Sequence, residues 1–214
     1  MEPIDAPSEL ETLLEELHRE IDEIAGRTSR DANASQYPDP TSYSPVQRRV
    51  LIRSIFSLVE GVAFGLKSFA LEDRRAGELP PSELQFAREI DYDLTDAGDI
   101  VERPAKLRTL GNLRFAFKLF ARIHGSSFAL DVSGPGWQSL HSTARVRDRL
   151  MHPRGLVDLS VTDDEIRTAF VALVWLDAQV VLLLVATVRA MRGQHEDLRR
   201  ELGALLQKPR PTTG

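Results

Sequence analysis

The chain has no cysteine among its 214 residues. Disulfides, thiolate metal sites and a cysteine nucleophile are therefore excluded. The acidic N-terminal stretch has no apolar run of the signal-peptide kind, which together with the missing cysteines predicts a cytoplasmic protein. The turn Gly134-Pro135-Gly136 lacks the Lys-Ser/Thr pair of a phosphate-binding loop. Ser126 and Ser127 have no motif around them that suggests a nucleophile.

Strand signals are also scarce, and the helical spacing of apolar residues predicts an all-α protein. The only short strand candidates are residues 129–132 and 156–161. We expect an acidic amphipathic helical arm over 1–26, a flexible linker over 27–44, a bundle of four main helices over 45–192, and a helical extension with a tail over 193–214.

Within the bundle, Ser44 and Pro45 are predicted to start the first long helix. The second helix is expected over 104–124, after a short helix and an acidic loop within 82–102. The third is expected from Trp137 to Met151. A capping box at Thr162-Asp163-Asp164-Glu165 should start the last one.

The last helix contains the most apolar stretch of the chain. From Phe170 to Val188, only Asp177, Gln179 and Thr187 are polar, and only Asp177 is charged. This length also suits a membrane span, but an Asp in the middle of a span is costly. The pattern therefore favours a fully buried core helix and no membrane association.

The net charge of −5 argues against a general nucleic-acid coat, but basic charge is concentrated in two segments. Residues 103–124 hold six basic side chains and no acid, and residues 145–154 hold four arginines with one acid. This distribution predicts a local anion site, with solvated helix faces as the alternative. The candidate RNA-binding residues are Arg114, Lys118, Arg122 and Arg154.

Arg145, Arg147 and Arg149 stand at alternate positions ahead of His152 and Pro153. Arginine is always charged and its forked donors suit a phosphate, while histidine exchanges a proton near neutral pH. A residue before proline avoids the helical region, so His152 should lie just past the helix end. Such a set of side chains suits metal-independent phosphodiester chemistry.

The segment from Arg147 to Pro153, with four residues between Arg147 and His152, resembles the motif of HEPN domains, in which an arginine precedes a histidine by four to six residues. Its place between one bundle helix and a capped, apolar final helix is similar too, and the resemblance covers residues 45–192. It implies a dimeric helical bundle. Many such proteins are endoribonucleases of toxin–antitoxin, abortive-infection and phage-defence systems, with Arg and His of two protomers in one site.

By this resemblance, His152 would be the general acid or base at the ribose 2′-hydroxyl or the leaving 5′ oxygen. Arg147 would stabilise the phosphate charge, and the products would carry a 2′,3′-cyclic phosphate. Asp148 occupies the polar position after the arginine, where the family commonly has Asn, and would orient one of the pair. Its negative charge would oppose a phosphate. Glu60 is a candidate acidic partner of Arg147.

Arg145 and Arg149 are supporting candidates, and Arg145 also fits the motif with six intervening residues. His141 lies about three helical turns before His152; a surface role is favoured over a place in the same groove. No cofactor or metal is expected. The expected partners are RNA, a second copy and an antitoxin or other defence-system protein.

Two other classes of function stay open. One is a catalytically silent HEPN-like module that binds a partner or RNA. The other is an unrelated helical bundle that serves as a scaffold. In both, the arginines would offset the helix dipole and His152 would cap carbonyls at the helix end.

Overall fold

The structure, a computed structural model, describes residues 6–26 and 39–206. The described chain is mostly helical, with 73% of the protein in helices, so the all-α class is confirmed at that level. The helices are α1 (Ala6–Ile24), α2 (Pro45–Glu72), α3 (Pro81–Ala87), α4 (Thr109–Ile123), α5 (Pro135–Met151) and α6 (Asp163–Leu206), and the strands are β1 (Ile90–Leu94) and β2 (Ile100–Pro104).

Local sequence signals determine where the long helices begin and end. Ser44 and Gln47 form a capping box at the start of α2, with Pro45 in its first turn. The Glu165 amide donates to the Thr162 hydroxyl at 3.2 Å at the start of α6. These predicted starts are confirmed. α5 ends at Met151, two residues before Pro153.

Helix α2 lies at the centre of the core and packs against α1, α4, α5 and α6. α1 approaches it closely at Gly61, because a Cβ built there would lie 3.0 Å from Leu17 Cδ1. Ile21 of α1 is buried in the same core, and full burial of such a side chain contributes about 1.5–3 kcal/mol. The N-terminal helix is therefore docked on the bundle.

A hydrogen bond also joins α1 to α6. Nε2 of His18 lies 3.0 Å from Oδ1 of Asp177, and Nδ1 of His18 lies 2.8 Å from the Leu14 carbonyl oxygen. Both neighbours are acceptors, so the arrangement suits a ring that carries two protons. The hydrogen bond to Asp177 raises the pKa of His18, while partial burial opposes the rise.

The predicted acidic loop within 82–102 is wrong, because residues 90–104 form an antiparallel hairpin. Arg103 pairs across the hairpin with Asp91 and Asp93, and Gly98 supplies a positive φ in the turn. The strands are almost wholly exposed. They therefore lack the alternation of apolar and polar residues by which a strand that packs on the core is recognised. The two short strand candidates, 129–132 and 156–161, do not form strands; Leu156–Leu159 is a 3₁₀ turn.

A buried lysine fixes the position of α4 against α2. Lys67 is 1% exposed; its ammonium pairs with the Glu89 carboxylate and donates to Asn112 Oδ1 at 2.8 Å. Glu89 has a φ of +56° just before β1. Burial lowers the pKa of Lys67, and the pairing with Glu89 opposes that effect. This cluster positions the first turn of α4, where Asn112 lies. That helix begins at Thr109, later than the predicted residue 104.

Of the predicted linker, residues 27–38 lie outside the described residues. Pro40–Ser42 form a 3₁₀ turn. The Arg48 guanidinium donates to the carbonyl oxygens of Pro40, Tyr43 and Val161 at 2.9, 3.1 and 2.9 Å. Residues 39–44 are thus held against the bundle. The predicted extension after residue 192 continues α6 to Leu206, and residues 207–214 lie outside the described ranges.

The prediction that 170–188 is fully buried is wrong, because α5 and α2 cover only one side of α6. An exposed apolar row remains at three- and four-residue spacing, which we name the α6 seam: Val171, Val174, Ala178, Val181, Val185 and Val188. Among the described residues, α6 is the one helix long and apolar enough to cross a membrane. This is weak evidence for a membrane span, because the core helices of soluble proteins pass the same test.

Candidate functional site

Arg147 is anchored where α2, α4 and α5 meet. Its Nη2 lies 3.4 Å from Glu60 Oε1, and its Nη1 lies 3.3 Å from Asp148 Oδ1. The hydroxyl of Thr109 donates to the same Glu60 oxygen at 3.2 Å. The Arg147 side chain is partly buried, at 28% exposure. The acidic partner suggested for Arg147 is thus in contact with it.

Arg149 points away from Arg147, toward the start of α6. Its Nη2 donates to the Ser160 carbonyl oxygen at 2.7 Å and lies 3.1 Å from Glu165 Oε1. Glu165 is also the capping-box residue of α6. Arg149 therefore ties the last turn of α5 to the connection that follows, which is a structural role.

His152 lies just past the end of α5, as the following proline predicts. Its backbone has a φ of −130°, and its amide donates to the Asp148 carbonyl oxygen at 3.1 Å. The ring is exposed and forms no hydrogen bond or ion pair with any described residue. The Leu150 carbonyl accepts instead from Arg53, at 3.4 Å. The ring of His152 therefore does not cap the helix within the part of the chain that the structure describes.

A groove of about 700 Å³ lies between the start of α4 and the exposed side of α5. The side chain of Arg108, the N-cap residue of α4, makes no capping hydrogen bond to a described residue, so the positive end of the helix dipole remains open toward this region. We name it the α4–α5 groove. Its basic lining residues are Arg108, Arg114, Arg145, Arg147 and His141.

The groove also offers an aromatic surface. The Arg114 guanidinium lies 6.0 Å from the centre of the Trp137 ring, and Trp137 packs edge-on against Trp175. Asp148 is the acidic residue of the lining. Positive charge exceeds negative charge here, so a phosphate would be attracted.

The structure brings some predicted site residues together and separates others. Arg145, Arg147, Asp148 and Arg114 line the α4–α5 groove, whereas His152 does not. Lys118 and Arg122 line another cavity, of about 740 Å³, in which Arg114 also takes part. Arg122 is paired there with Glu83.

Arg154, the last of the predicted RNA-binding residues, follows Pro153. Its amide donates to Asp158 Oδ2 at 2.7 Å, and its side chain has no partner among the described residues. The sequence alone does not single out Arg108, and it favours a surface role for His141. Both line the groove because the start of α4 lies opposite the exposed side of α5, a relation between two helices that the periodicity of a single helix does not reveal.

Exposed apolar side chains flank His152. Leu156 is 89% exposed and Val157 is 78% exposed, and Met151 is also exposed. A large exposed apolar patch beside polar functional groups is typical of an interaction surface. His152 thus lies at the edge of a surface suited to contact with another molecule.

Among the described residues, no three His, Asp or Glu side chains cluster as a metal site requires. No protein-family model matches the chain, and neither a curated protein nor a solved structure does.

Proposed function

We propose that this chain is a HEPN-like, metal-independent endoribonuclease that works as a homodimer. Arg147 of one protomer and the partner's His152 form its active site. The observation that carries the proposal is the contrast between the two motif residues. Arg147 is anchored by Glu60 in an arginine-lined groove, whereas the His152 ring is exposed and without a partner among the described residues.

A composite site fits this separation. The His152 ring does not line the groove of its own protomer, so one protomer presents an arginine and a histidine on neighbouring surfaces. The apolar side chains of Met151, Leu156 and Val157 beside the ring suit burial against a second copy. A second copy placed there by a twofold axis makes the same contacts in return.

The α6 seam supports a twofold pairing. Its alternating spacing of three and four residues is that of a coiled-coil contact row. α5 ends beside the start of α6, where Arg149 contacts Glu165. A parallel pair of α6 helices therefore brings both α5 ends to the same end of the dimer, while an antiparallel pair separates them.

The chemistry needs one proton acceptor and one fixed positive charge. His152 takes the proton of a ribose 2′-hydroxyl, and the 2′ oxygen attacks the phosphorus. The P–O5′ bond breaks, and the departing 5′ oxygen takes a proton from water. Arg147 stabilises the charge that develops on the phosphate oxygens. The products carry a 2′,3′-cyclic phosphate and a 5′-hydroxyl.

The wider setting belongs to the same proposal. A ribonuclease of this kind would act in the cytoplasm as a toxin or phage-defence effector, with no membrane contact. An antitoxin or another defence-system protein would hold it in check. RNA phosphates would follow the α4–α5 groove, with Arg108, Arg114 and Arg145 as backbone contacts.

A second candidate function is a catalytically silent HEPN-like module that binds RNA or a partner. It is favoured by the two carboxylates at Arg147: Glu60 and Asp148 both lie within 3.4 Å of the guanidinium. The two carboxylates offset the charge of the guanidinium. Arg147 therefore attracts the phosphate of a transition state less strongly.

The test is cleavage of a mixed RNA pool in excess EDTA by the wild type, His152→Ala and His195→Ala. His195 is an exposed histidine near the far end of α6 and serves as the matched control. We expect 2′,3′-cyclic ends from the wild type and the control, and a loss of at least about 100-fold in rate for His152→Ala. Binding without cleavage by the wild type supports the second candidate. Equal cleavage by all three proteins rules out His152 as the catalytic base.

A further inference from the structure

An apolar cavity of about 520 Å³ lies between α1, α2, α4 and α6. Most of its wall is aliphatic or aromatic, with Leu14 from α1, Val62 and Phe69 from α2, Phe120 from α4, and Leu184 from α6. Its size is within the range of small-molecule sites, which are typically apolar with a few polar groups. It shares no lining residue with the α4–α5 groove.

Unpartnered polar atoms occur in the wall of this cavity. Thr187 is buried, at 4% exposure, and its hydroxyl has no hydrogen-bond partner among the described residues. His124 Nδ1 is also buried without a hydrogen bond. A buried polar group without a partner is costly, so such groups normally have one.

The charges near the cavity select the kind of polar group. Burial lowers the pKa of His124, which favours the neutral ring, although the charge of Asp73 opposes this effect. The neighbouring Asp73, 3.5 Å from His124 Nδ1, is held ionised by hydrogen bonds from Arg75 that bring its pKa far below the usual range. Glu72 adds a second carboxyl group to the lining. An anionic ligand is therefore disfavoured. Because the charge of Asp73 is already balanced by Arg75, a neutral hydrogen-bonding group is suited.

We propose that this cavity binds a small apolar molecule that carries one neutral hydrogen-bonding group, such as a medium-chain alcohol or amide. The hydroxyl of Thr187 donates to or accepts from that group, and the apolar body fills the space between α2 and α6. This site does not depend on the proposed ribonuclease activity.

The segments of the chain outside the described ranges offer no good occupant. Outside the described ranges, residues 27–38 and 207–214 contain no Leu, Ile, Val, Met or Phe, and residues 1–5 contain only Met1 and Ile4. An apolar cavity gains little from polar segments. A separate apolar ligand is therefore the better complement.

The test uses N-phenyl-1-naphthylamine, a neutral aromatic amine that fluoresces strongly out of water. We expect its fluorescence to rise and saturate at one dye per chain. Leu184→Trp, which fills the cavity, should weaken binding by at least about tenfold. Leu182→Trp is the matched control, because Leu182 is exposed on the same helix and lies outside the lining.

Competition then identifies the polar group. We expect 1-octanol to displace the dye and octanoate at pH 8 to be at least about tenfold weaker. Thr187→Val, which keeps the side-chain shape, should weaken octanol about fivefold. Non-saturable binding, equal loss in both tryptophan variants, or equal competition by octanoate would overturn the proposal. Dye binding that disappears as protein concentration rises would assign the cavity to a second copy and would overturn it too.

Discussion

Arg147 of α5 and Glu60 of α2 form an ion pair, with 3.4 Å between Nη2 and Oε1. Because the hydroxyl of Thr109 donates to the same oxygen, the carboxylate links three helices at the mouth of the α4–α5 groove. Glu60 thus holds the arginine that the proposed mechanism needs in a fixed position.

Removal of this anchor should lower the cleavage rate more than the affinity. We expect Glu60→Ala to reduce kcat between about tenfold and a hundredfold, because the guanidinium loses its fixed orientation. KM should change little. Glu60→Gln should retain most of the activity, since its amide oxygen still accepts from Arg147. Single-turnover cleavage measures both effects, with the exposed Glu196→Ala as control. An increase in kcat for Glu60→Ala would show that Glu60 restrains the arginine instead.

The α6 seam predicts the orientation of the dimer. Because the chain has no cysteine, single substitutions give unambiguous crosslinks. In a parallel pair, equivalent residues face each other, so Val174→Cys and Val188→Cys should each form a disulfide with their own copy under mild oxidation. Non-reducing gel electrophoresis reads the result.

Leu182→Cys, exposed but outside the seam, is the control and should remain monomeric on the gel. A crosslink that forms only when Val174→Cys and Val188→Cys are mixed indicates an antiparallel pair. That result would place the two α5 ends apart and contradict a composite site built on this seam.

The stability of the α1–α6 contact should depend on pH. The hydrogen bond to Asp177 raises the pKa of His18 above its unfolded value of 6.5. The contribution of the His18–Asp177 pair to the free energy of unfolding is therefore complete below pH 6.5. It is lost as the pH rises through the raised pKa of His18 in the folded protein. The charge of Asp22 also favours the charged form of the ring.

We expect His18→Gln to be less stable than the wild type at pH 5.5, by at most about 1 kcal/mol because the pair is partly exposed. The difference should shrink at pH 9. Urea unfolding at both pH values measures it, and the exposed His195→Gln should show no such pH dependence. A difference that grows with pH contradicts a charged His18.

The two residues of the Lys67–Glu89 pair should contribute unequally to stability when each is replaced. Glu89→Gln leaves the ammonium without a counter-ion, so we expect it to lower the free energy of unfolding by about 3 kcal/mol. Lys67→Met should cost less, because the Glu89 carboxylate is partly exposed and water can solvate it. Chemical denaturation compares the two variants. A larger cost for Lys67→Met would contradict this account.

The sequence predicts elements whose signals are local. The capping residues Ser44 and Thr162 and the breaker Pro153 act on their immediate neighbours. The starts of α2 and α6 and the position of His152 therefore follow from a few residues each. The helical class follows from the same local patterns.

The features that the sequence does not reveal depend on contacts between elements. The hairpin at 90–104 is almost wholly exposed, so it shows no alternation of apolar residues. The sequence does not distinguish the exposed row on α6 from the buried one. Val171 is exposed and Leu173 is buried, yet both are equally apolar. The groove requires the start of α4 to lie opposite α5, and the buried Lys67, which pairs with Glu89 and donates to Asn112, helps to fix the start of α4 against α2.

The most direct test of the composite site uses mixed dimers. Arg147→Ala and His152→Ala chains with different tags are co-expressed, and the dimer carrying both tags is purified. One of its two sites then has an intact Arg147 and an intact His152 from different protomers. We predict inactive homodimers of each variant and a mixed dimer with about half of the wild-type RNA cleavage rate. A mixed dimer as inactive as the two homodimers, beside an active wild type, would contradict a site shared between protomers.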